Sequence, residues 1–367
     1  MHFKSLASGN WLGHELRFYF LPMSRPVYVL LFVRLSIADN LLPAFNENTG
    51  LPGSLLNLKT KKARNFHWAS SGCHILSEIG TLHMEFQFIS ELTGDPKYSR
   101  LVGFAKVLRH ENMSAIFPTK RSFCNTRVTV SGEGDSFFEY LLKEWLRTNK
   151  TDRKARELYD KTLDSFERLN IIRTSRAGSL YITDSQHGSP GRTMAHLACF
   201  SGGMFALGAL RKDADDVWFN RGRLLTETCR KSYAQTESHL GPENFHFSDH
   251  IDAVGLTSSD NLYLLRPETV ESYFYLWRLT HNTTYRDYAW DVVEALEKHC
   301  RVPGGFSGIK NVNSIDPSHD DVQQSYFLAE TLKYLYLIFC DDLVLPLDRW
   351  VFNTEGHPFP IMGNPTG

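Results

Sequence analysis

No surplus of charge of either sign runs through this sequence: 40 lysines and arginines face 41 aspartates and glutamates, for a formal net charge of −1. Without a basic excess there is no sequence-wide field to draw the chain onto nucleic acid or an anionic membrane, so neutral ligands are expected. The six cysteines, Cys73, Cys124, Cys199, Cys229, Cys300 and Cys340, contain no C-x-x-C spacing. That argues against structural zinc and thioredoxin-like chemistry and leaves a disulfide open. Long apolar runs are missing as well. Val27 to Val33 is too short to span a bilayer and follows Pro22, Arg25 and Pro26, so neither a membrane span nor a clean signal peptide is expected there.

What the chain does have is apolar bulk. Its 367 residues are 42% hydrophobic and 13% aromatic, enough for two ordinary domains or one barrel-sized domain, of which we favour one. Three glycosylation triplets, at Asn112-Met-Ser, Asn149-Lys-Thr and Asn282-Thr-Thr, each sit in a polar connection, which leans the reading towards a secretory lumen.

Residues 1–36 scatter aromatics and prolines with no sustained helical period. From Asn40-Leu-Leu-Pro-Ala-Phe onward the spacing predicts helices over 75–92, 98–109, 135–146, 153–169, 194–210, 215–233, 268–280, 285–300 and 323–339. Short β connections are expected at Arg127-Val-Thr-Val and Tyr181-Ile-Thr. One echo joins two of these helix pairs: Leu92-Thr-Gly-Asp-Pro-Lys-Tyr98 and Leu279-Thr-His-Asn-Thr-Thr-Tyr285 share Leu-Thr-x-Asp/Asn-x-x-Tyr. Recurrence at a turn suggests stacked helical hairpins, in a solenoid or in a closed barrel.

The acids are concentrated in apolar helices. In Leu264-Leu-Arg-Pro-Glu-Thr-Val-Glu-Ser-Tyr273, Pro267 suits a first helical turn, and Glu268 and Glu271 then share a face near the positive end of the helix dipole. Glu268 is a candidate general base, although Pro-Glu-x-x-Glu is also an ordinary helix start. Asp135 and Glu139 are four apart, with Asp135 equally suited to a plain N-cap. Glu78 and Glu85 are seven apart, which implies one face. Glu330, in Tyr326-Phe-Leu-Ala-Glu-Thr-Leu-Lys-Tyr-Leu, needs a partner, for which Lys333 is the candidate. Converging carboxylates repel one another without a counter-charge, and calcium, a hard cation that takes oxygen ligands and waters, answers that need. Two separated carboxylates around a sugar are also what glycoside hydrolysis requires.

Several of these stretches together resemble a known family. Arg266-Pro-Glu-Thr-Val-Glu-Ser, Ile75-Leu-Ser-Glu-Ile-Gly-Thr-Leu-His-Met-Glu-Phe, Gly134-Asp-Ser-Phe-Phe-Glu-Tyr, His196-Leu-Ala-Cys-Phe, Phe327-Leu-Ala-Glu-Thr-Leu-Lys-Tyr-Leu and Phe352-Asn-Thr-Glu-Gly-His-Pro are similar to the class I α-1,2-mannosidases, glycoside hydrolase family 47. The likeness runs from about Leu41 to Ile361. Asp341-Asp342 and Cys300-Arg-Val-Pro-Gly-Gly-Phe-Ser-Gly most resemble the Golgi branch.

The resemblance implies an all-α (α/α)7 barrel with short β-hairpin insertions, one bound Ca2+, and trimming of α-1,2-linked mannose from high-mannose N-glycans with inversion. It implies Glu268 as water-activating base and Asp135 as second catalytic carboxylate. Thr354 resembles the calcium ligand, with Glu78, Glu139, Glu271, Glu330 and Glu355 holding calcium-bound waters or mannose hydroxyls. Arg266, His196, Glu243 and Tyr326 match glycan-contacting positions, and Cys199 and Cys229 match the family's disulfide. On this reading residues 1–36 stand apart and 37–367 form the catalytic domain of a monomer in the Golgi, on the lumenal side of the membrane, or in the endoplasmic reticulum. Any anchor is expected outside this sequence. Two departures are visible. Glu133 stands where the Golgi enzymes carry an apolar residue and the endoplasmic-reticulum enzyme an arginine. The first helical hairpins, with the glutamate that serves as general acid, have no counterpart, and Glu15-Leu-Arg17 is the only acidic and basic pair nearby. A homologue that binds high-mannose glycans without cutting them, and a helical-repeat scaffold, are the alternatives.

Overall fold

Apolar positions recurring every three or four residues fold the described residues into eleven helices of varied length, joined in hairpins. The structure is a computed structural model that describes residues 35–46, 50–69, 74–102 and 127–363. Glu15, Cys73, Cys124, Asn112 and the far part of the helix expected over 98–109 lie outside the described residues. Helices α1 (Leu76–Gly80), α2 (His83–Thr93) and α3 (Lys97–Leu101) are followed by α4 (Asp135–Arg147) and α5 (Arg153–Arg168). Then come α6 (Phe200–Gly208), α7 (Val217–Ala234), α8 (Glu268–Thr280), α9 (Thr284–His299) and α10 (Leu332–Phe339). Residues 35–41 are helical as well.

Side chains set the ends. Asp152 caps α5 by accepting from the Ala155 amide at 3.0 Å, and Asp216 caps α7 by accepting from Trp218 and Phe219. Each cap satisfies amides that the first helical turn leaves without a partner. The echoed turns are one structure used twice. After α2, Gly94 takes a left-handed φ of 70°, Thr93 Oγ1 accepts from the Asp95 amide, and Asp95 Oδ1 accepts from the Lys97 amide. After α8, His281 takes φ 54°, Thr280 Oγ1 accepts from the Asn282 amide, and Asn282 Oδ1 accepts from the Thr284 amide. Tyr98 and Tyr285 are both buried behind their turns.

Two large apolar clusters form most of the core of the described residues, beside a small third one of Ala38, Phe86 and Tyr98. One gathers Phe137, Phe138 and Leu141 of α4 with Leu158 and Phe166 of α5. The other gathers Val270 and Phe274 of α8 with Leu296 of α9 and Ile338 of α10. Helices α6 and α7 serve both, with Phe205 and Leu225 in the first and Ala206 and Phe219 in the second. Short antiparallel strands fill the connections. Asn244–Phe247 lies between Thr193–Ala195 and Asp252–Val254, Arg127–Val128 pairs with Ser185–Gln186, and Trp350–Phe352 pairs with Pro358–Pro360.

Three expectations from the sequence are corrected. The helix expected over 75–92 is two, α1 and α2, broken at Thr81-Leu82. Gly80 lies so close against the Phe137 ring that a Cβ has no room, and the Thr81 hydroxyl is drawn to that of Ser136 at 2.7 Å. Glu78 and Glu85 therefore do not share one helical face. The helix expected from Met194 starts later, because Thr193–Ala195 is a strand and His196–Cys199 a 3-10 turn leading into α6. The helix expected over 323–339 opens with a π-helical turn, Phe327–Thr331, before α10. Extra turns of this kind inside helices recur at functional sites, and here one carries Glu330.

Candidate active site

Five separate segments deliver carboxylate and threonine oxygens to one open cavity of about 370 Å³. Glu78 comes from α1, Asp135 and Glu139 from α4, Glu268 and Glu271 from α8, Glu330 from the π turn, and Thr354 and Glu355 from the tip of the Trp350–Pro360 hairpin, with Arg266 and Tyr326 completing the wall. Sequence spacing alone marked Glu85 as converging, but it bonds instead to the Tyr140 hydroxyl at 2.6 Å and the Asn353 amide at 2.8 Å. Asn353 in turn accepts from the amides of Glu355 and His357 and so shapes the hairpin tip.

Backbone strain precedes both proposed catalytic acids. Leu265, three residues before Glu268, is buried with φ 60°, and Glu133, two before Asp135, has φ 82°. Such conformations cost roughly 1–3 kcal/mol each and persist only when neighbours enforce them. The Tyr326 hydroxyl donates to the Leu264 carbonyl and the Thr331 hydroxyl to that of Leu265, both at 2.7 Å. On the other side the amides of Gly134 and Asp135 donate to the Ser131 carbonyl, and the Ser77 amide to that of Glu133. Gly134 packs directly on the Thr129 carbonyl, where a Cβ would collide. Asp135 is thus the first residue of α4 rather than its N-cap, a place Gly134 takes.

The orientation of Glu268 is fixed from behind. His196 Nδ1 lies 2.8 Å from Glu268 Oε2, and its Nε2 lies 2.6 Å from the Tyr233 hydroxyl. His196 is 0% exposed. The resemblance assigned it to glycan contact, but it is not part of the cavity wall and reaches the cavity only through Glu268. Glu243 likewise stands outside the wall and binds Arg266 Nε at 2.7 Å. One turn along α8, Ser272 donates to the Cys199 carbonyl at 2.6 Å and accepts from the Gly203 amide at 2.8 Å. Cys199 is joined to Cys229 by a disulfide, as the resemblance implied, while Cys300 and Cys340 are free thiols. Helix α8, the 3-10 turn and α7 are thereby locked around the His196–Glu268 pair.

Seven carboxylates line the cavity, at Glu78, Asp135, Glu139, Glu268, Glu271, Glu330 and Glu355. Burial pushes Asp135 up to about 7; the Ser136 amide opposes this, and Glu139 and Glu268 add to it. Glu330 is pushed up to about 10 by burial and by Glu271, Glu355 and Glu268. Glu271 and Glu355 are raised as well, again chiefly by burial. A partner the sequence reading missed offsets part of this charge. The ammonium of Lys143 is fully buried against Glu139 and lies 3.5 Å from Glu271. Burial works against its charge, but Glu139, Tyr275 and Glu271 outweigh that and hold it above its usual range. The Glu139–Lys143 spacing, i to i+4, was the available signal. Lys333 does not pair with Glu330 as expected; its ammonium donates to the Gly356 carbonyl at 2.6 Å.

The donor set fits a hard cation. Every candidate ligand is oxygen, and once the raised carboxyls lose their protons Lys143 and Arg266 are too few to balance the seven acids. Among the described residues no three acids or histidines stand close enough to take an ion by themselves. A site here would draw on other oxygens of the cavity, Thr354 among those lining it, and on waters held by the surrounding acids.

Comparison with known proteins agrees with this chemistry. Residues 23–361 match the model of glycosyl hydrolase family 47. The chain is 49% identical over 339 residues to mannosyl-oligosaccharide alpha-1,2-mannosidase IA of Drosophila melanogaster, covering 89% of this chain and 50% of the relative. It is 48% identical over 338 residues to mannosyl-oligosaccharide 1,2-alpha-mannosidase IB of Mus musculus, covering 89% of this chain and 52% of the relative. The chain thus spans about half the length of the curated relatives it matches. The solved alpha-1,2-mannosidase from Trichoderma reesei superimposes with a TM-score of 0.80 at 28% identity, over 92% of this chain and 76% of that one. The helical hairpins are accordingly those of an (α/α)7 barrel, the fold expected from the sequence. With its motifs, its fold and almost half its residues held in common with these relatives, the chain belongs to glycosyl hydrolase family 47.

Proposed function

We propose that the chain hydrolyses terminal α-1,2-linked mannose from high-mannose N-glycans with inversion at the anomeric carbon. One observation carries the reading: Glu268, oriented by the buried His196, lines the same cavity as Asp135, whose carboxyl is pushed up to about 7. Glu268 Oε2 accepts from His196 Nδ1 and leaves its other oxygen to take a proton from water, the base's task in an inverting mechanism. Asp135 holds a proton at neutral pH for a sizeable fraction of molecules, so it can protonate the leaving oxygen. On the same wall Arg266 offers donors to the sugar hydroxyls, and the Tyr326 oxygen, whose proton goes to the Leu264 carbonyl, offers an acceptor.

Thr354 would hold Ca2+ through its hydroxyl and carbonyl oxygens, with Glu78, Glu139, Glu271, Glu330 and Glu355 bound through waters. Bound there, the ion supplies charge neutralisation and a template for oxygen atoms of sugar and water. The catalytic domain is assigned to residues 37–367, acting as a monomer in the secretory pathway, in the Golgi or endoplasmic reticulum. The Cys199–Cys229 disulfide and the exposed Asn149 and Asn282 support an oxidising, glycosylating compartment. No helix among the described residues is long and apolar enough to cross a membrane.

Purified chain is incubated with a high-mannose glycan and calcium, and free mannose is followed over time. Release of mannose supports the reading, and a chain that releases none at any enzyme concentration overturns it.

A further inference from the structure

Charge balance over the whole chain hides one imbalance within it. From Asn48 to Ser77 the sequence has no acid, yet it holds Lys59, Lys61, Lys62 and Arg64. The fold gathers these four on one hairpin, in which Leu55–Asn57 pairs with Lys62–Arg64, Leu55 facing Arg64 and Asn57 facing Lys62. Asn57 shapes the turn by accepting from the amides of Lys59 and Thr60, and Lys61 takes a left-handed φ of 56°. Every residue from Asn57 to Arg64 is exposed. Among the described residues no acid pairs with any of the four cations. Lys61 donates to the Asn40 side chain at 2.7 Å, and Arg64 Nη1 lies 3.2 Å from His67 Nε2. Asp39, next to Asn40, is held by Lys97 at 2.8 Å. Like charges kept together on one ribbon without a counter-charge destabilise it, and an anionic partner relieves that repulsion.

The place of the ribbon selects the partner. Ser54, one residue before the first strand, donates its amide to Asn65 Oδ1 at 3.3 Å and its hydroxyl to Glu78, which lines the catalytic cavity. Arg64 faces Leu55 across the ladder, so its backbone stands within about 10 Å of Ser54, one cross-strand spacing and one chain step away. The cations are therefore tied beside the catalytic cavity. A glycan with its terminal mannose in that cavity carries its polypeptide at the other end, and acids on that polypeptide come within one glycan length of the ribbon. A bilayer fits less well, because binding at its surface needs an apolar face together with the charge. Leu58, the exposed apolar residue of the turn, lines an apolar cavity with Leu41 and Phe45, which leaves Trp68, stacked on Phe66, beside the cations. We propose that the hairpin carrying Lys59, Lys61, Lys62 and Arg64 is a docking surface for an acidic polypeptide segment of the glycoprotein whose glycan enters the catalytic cavity. The surface rests on the mannosidase reading above and adds to it a preference among carriers.

The test varies the carrier while the glycan stays the same. Wild type and the triple variant Lys59→Ala, Lys61→Ala, Lys62→Ala, each in the full 367-residue chain with calcium, are assayed on one high-mannose glycan in three forms. The glycan is free, attached to a peptide flanked by aspartates and glutamates, or attached to a peptide flanked by serines. The expected result at low salt is a wild-type kcat/KM about tenfold higher for the acid-flanked form than for the serine-flanked one, the lower end of what electrostatic steering gives. The preference should vanish in the variant, and also in about 1 M salt, where the screening length falls to ~3 Å. Free glycan should be cleaved equally by both proteins. A wild type without the preference, a preference that survives the substitutions or the salt, or an equal loss on all three forms overturns the docking surface and leaves the mannosidase reading standing. Wild type that sediments with phosphatidylserine vesicles but shows no carrier preference makes the hairpin a membrane contact instead, which also overturns the proposal. Exposed lysines should leave the thermal midpoint within about a degree or two of wild type; if the triple variant melts early, Lys59→Ala with Lys62→Ala decides alone. If wild type releases no mannose from any form, the mannosidase reading fails, and fluorescence anisotropy of the acid-flanked glycopeptide at low salt decides the surface. Binding that the variant loses supports it, whereas no binding, or equal binding by both proteins, overturns it.

Discussion

His196 Nδ1 stands 2.8 Å from Glu268 Oε2, in a pocket where the histidine has no exposed surface. An ionised carboxylate only accepts, so Nδ1 carries the imidazole proton and Nε2 is left as acceptor. The Tyr233 hydroxyl fills that role from 2.6 Å, and burial raises its pKa far enough to keep it a donor. Tyr233→Phe leaves Nε2 with only the Thr269 hydroxyl at 3.4 Å, a cost of up to about 1–3 kcal/mol, and frees the imidazole to change tautomer. The expected result is a kcat roughly 5- to 100-fold lower with KM nearly unchanged. Nitrogen NMR of the wild-type histidine should show the proton on Nδ1.

Lys143 is the charge that the acids cannot lose. It touches Glu139 and Glu271 and is buried on all sides. Lys143→Met should destabilise the fold by about 3–5 kcal/mol, the usual effect of breaking a buried pair from one side. Adding Glu271→Gln should recover part of the loss. Urea unfolding in the presence of calcium measures both, and an unchanged midpoint for Lys143→Met would remove the ion pair from the account.

Calcium and protons should compete for this cavity. Glu330 is pushed up to about 10 and Glu271 is raised too, so both hold protons near pH 7 that an unfolded chain, with carboxyls near ~4.3, has lost. A raised folded pKa means stability that is present at low pH and lost as pH rises through the window above ~4.3. Calcium-free protein should therefore melt progressively lower from pH 5 to pH 8 (about the carboxylate-to-neutral window). Bound calcium should flatten that slope, and its binding should release protons and tighten as pH rises. Calorimetry in buffers of different ionisation enthalpy reads the proton count.

Much of this could be read from the residues, and the failures have physical causes. The helix opening after Pro267 and the turn shared by Thr93 and Thr280 follow from local chemistry, since proline, threonine and Asp/Asn act on backbone groups within a few residues. The break at Thr81-Leu82 does not, because it depends on the Phe137 ring, some 55 residues away in sequence, pressing on Gly80. The π turn that carries Glu330 is likewise set by Leu264 and Leu265, which accept from Tyr326 and Thr331. Lys143 reads as an exposed helical ion pair until tertiary packing buries it. Tyr233 gave no signal at all, for a tyrosine in an apolar helix is ordinary core.

Cysteine chemistry offers an independent check on the lock around α8. Burial pushes the Cys300 thiol up to about 12, so it should resist alkylation until the protein unfolds. Cys199 and Cys229, separated by 30 residues, should appear as one linked pair in non-reducing peptide maps. Removing that link should cost about 3–4 kcal/mol in the chain-entropy model. A free Cys199 in protein secreted from eukaryotic cells would contradict the pairing.

The most direct measurement is the anomeric configuration and rate of mannose release by wild type and Glu268→Gln, followed by proton NMR on a high-mannose glycan with calcium. Inversion of an α linkage makes β-mannose the first product, and loss of the base should slow release by ~10²–10⁴-fold while glycan binding persists. α-Mannose appearing first, or a Glu268→Gln enzyme that turns over at the wild-type rate, would contradict the assignment of Glu268 as the base of an inverting mannosidase.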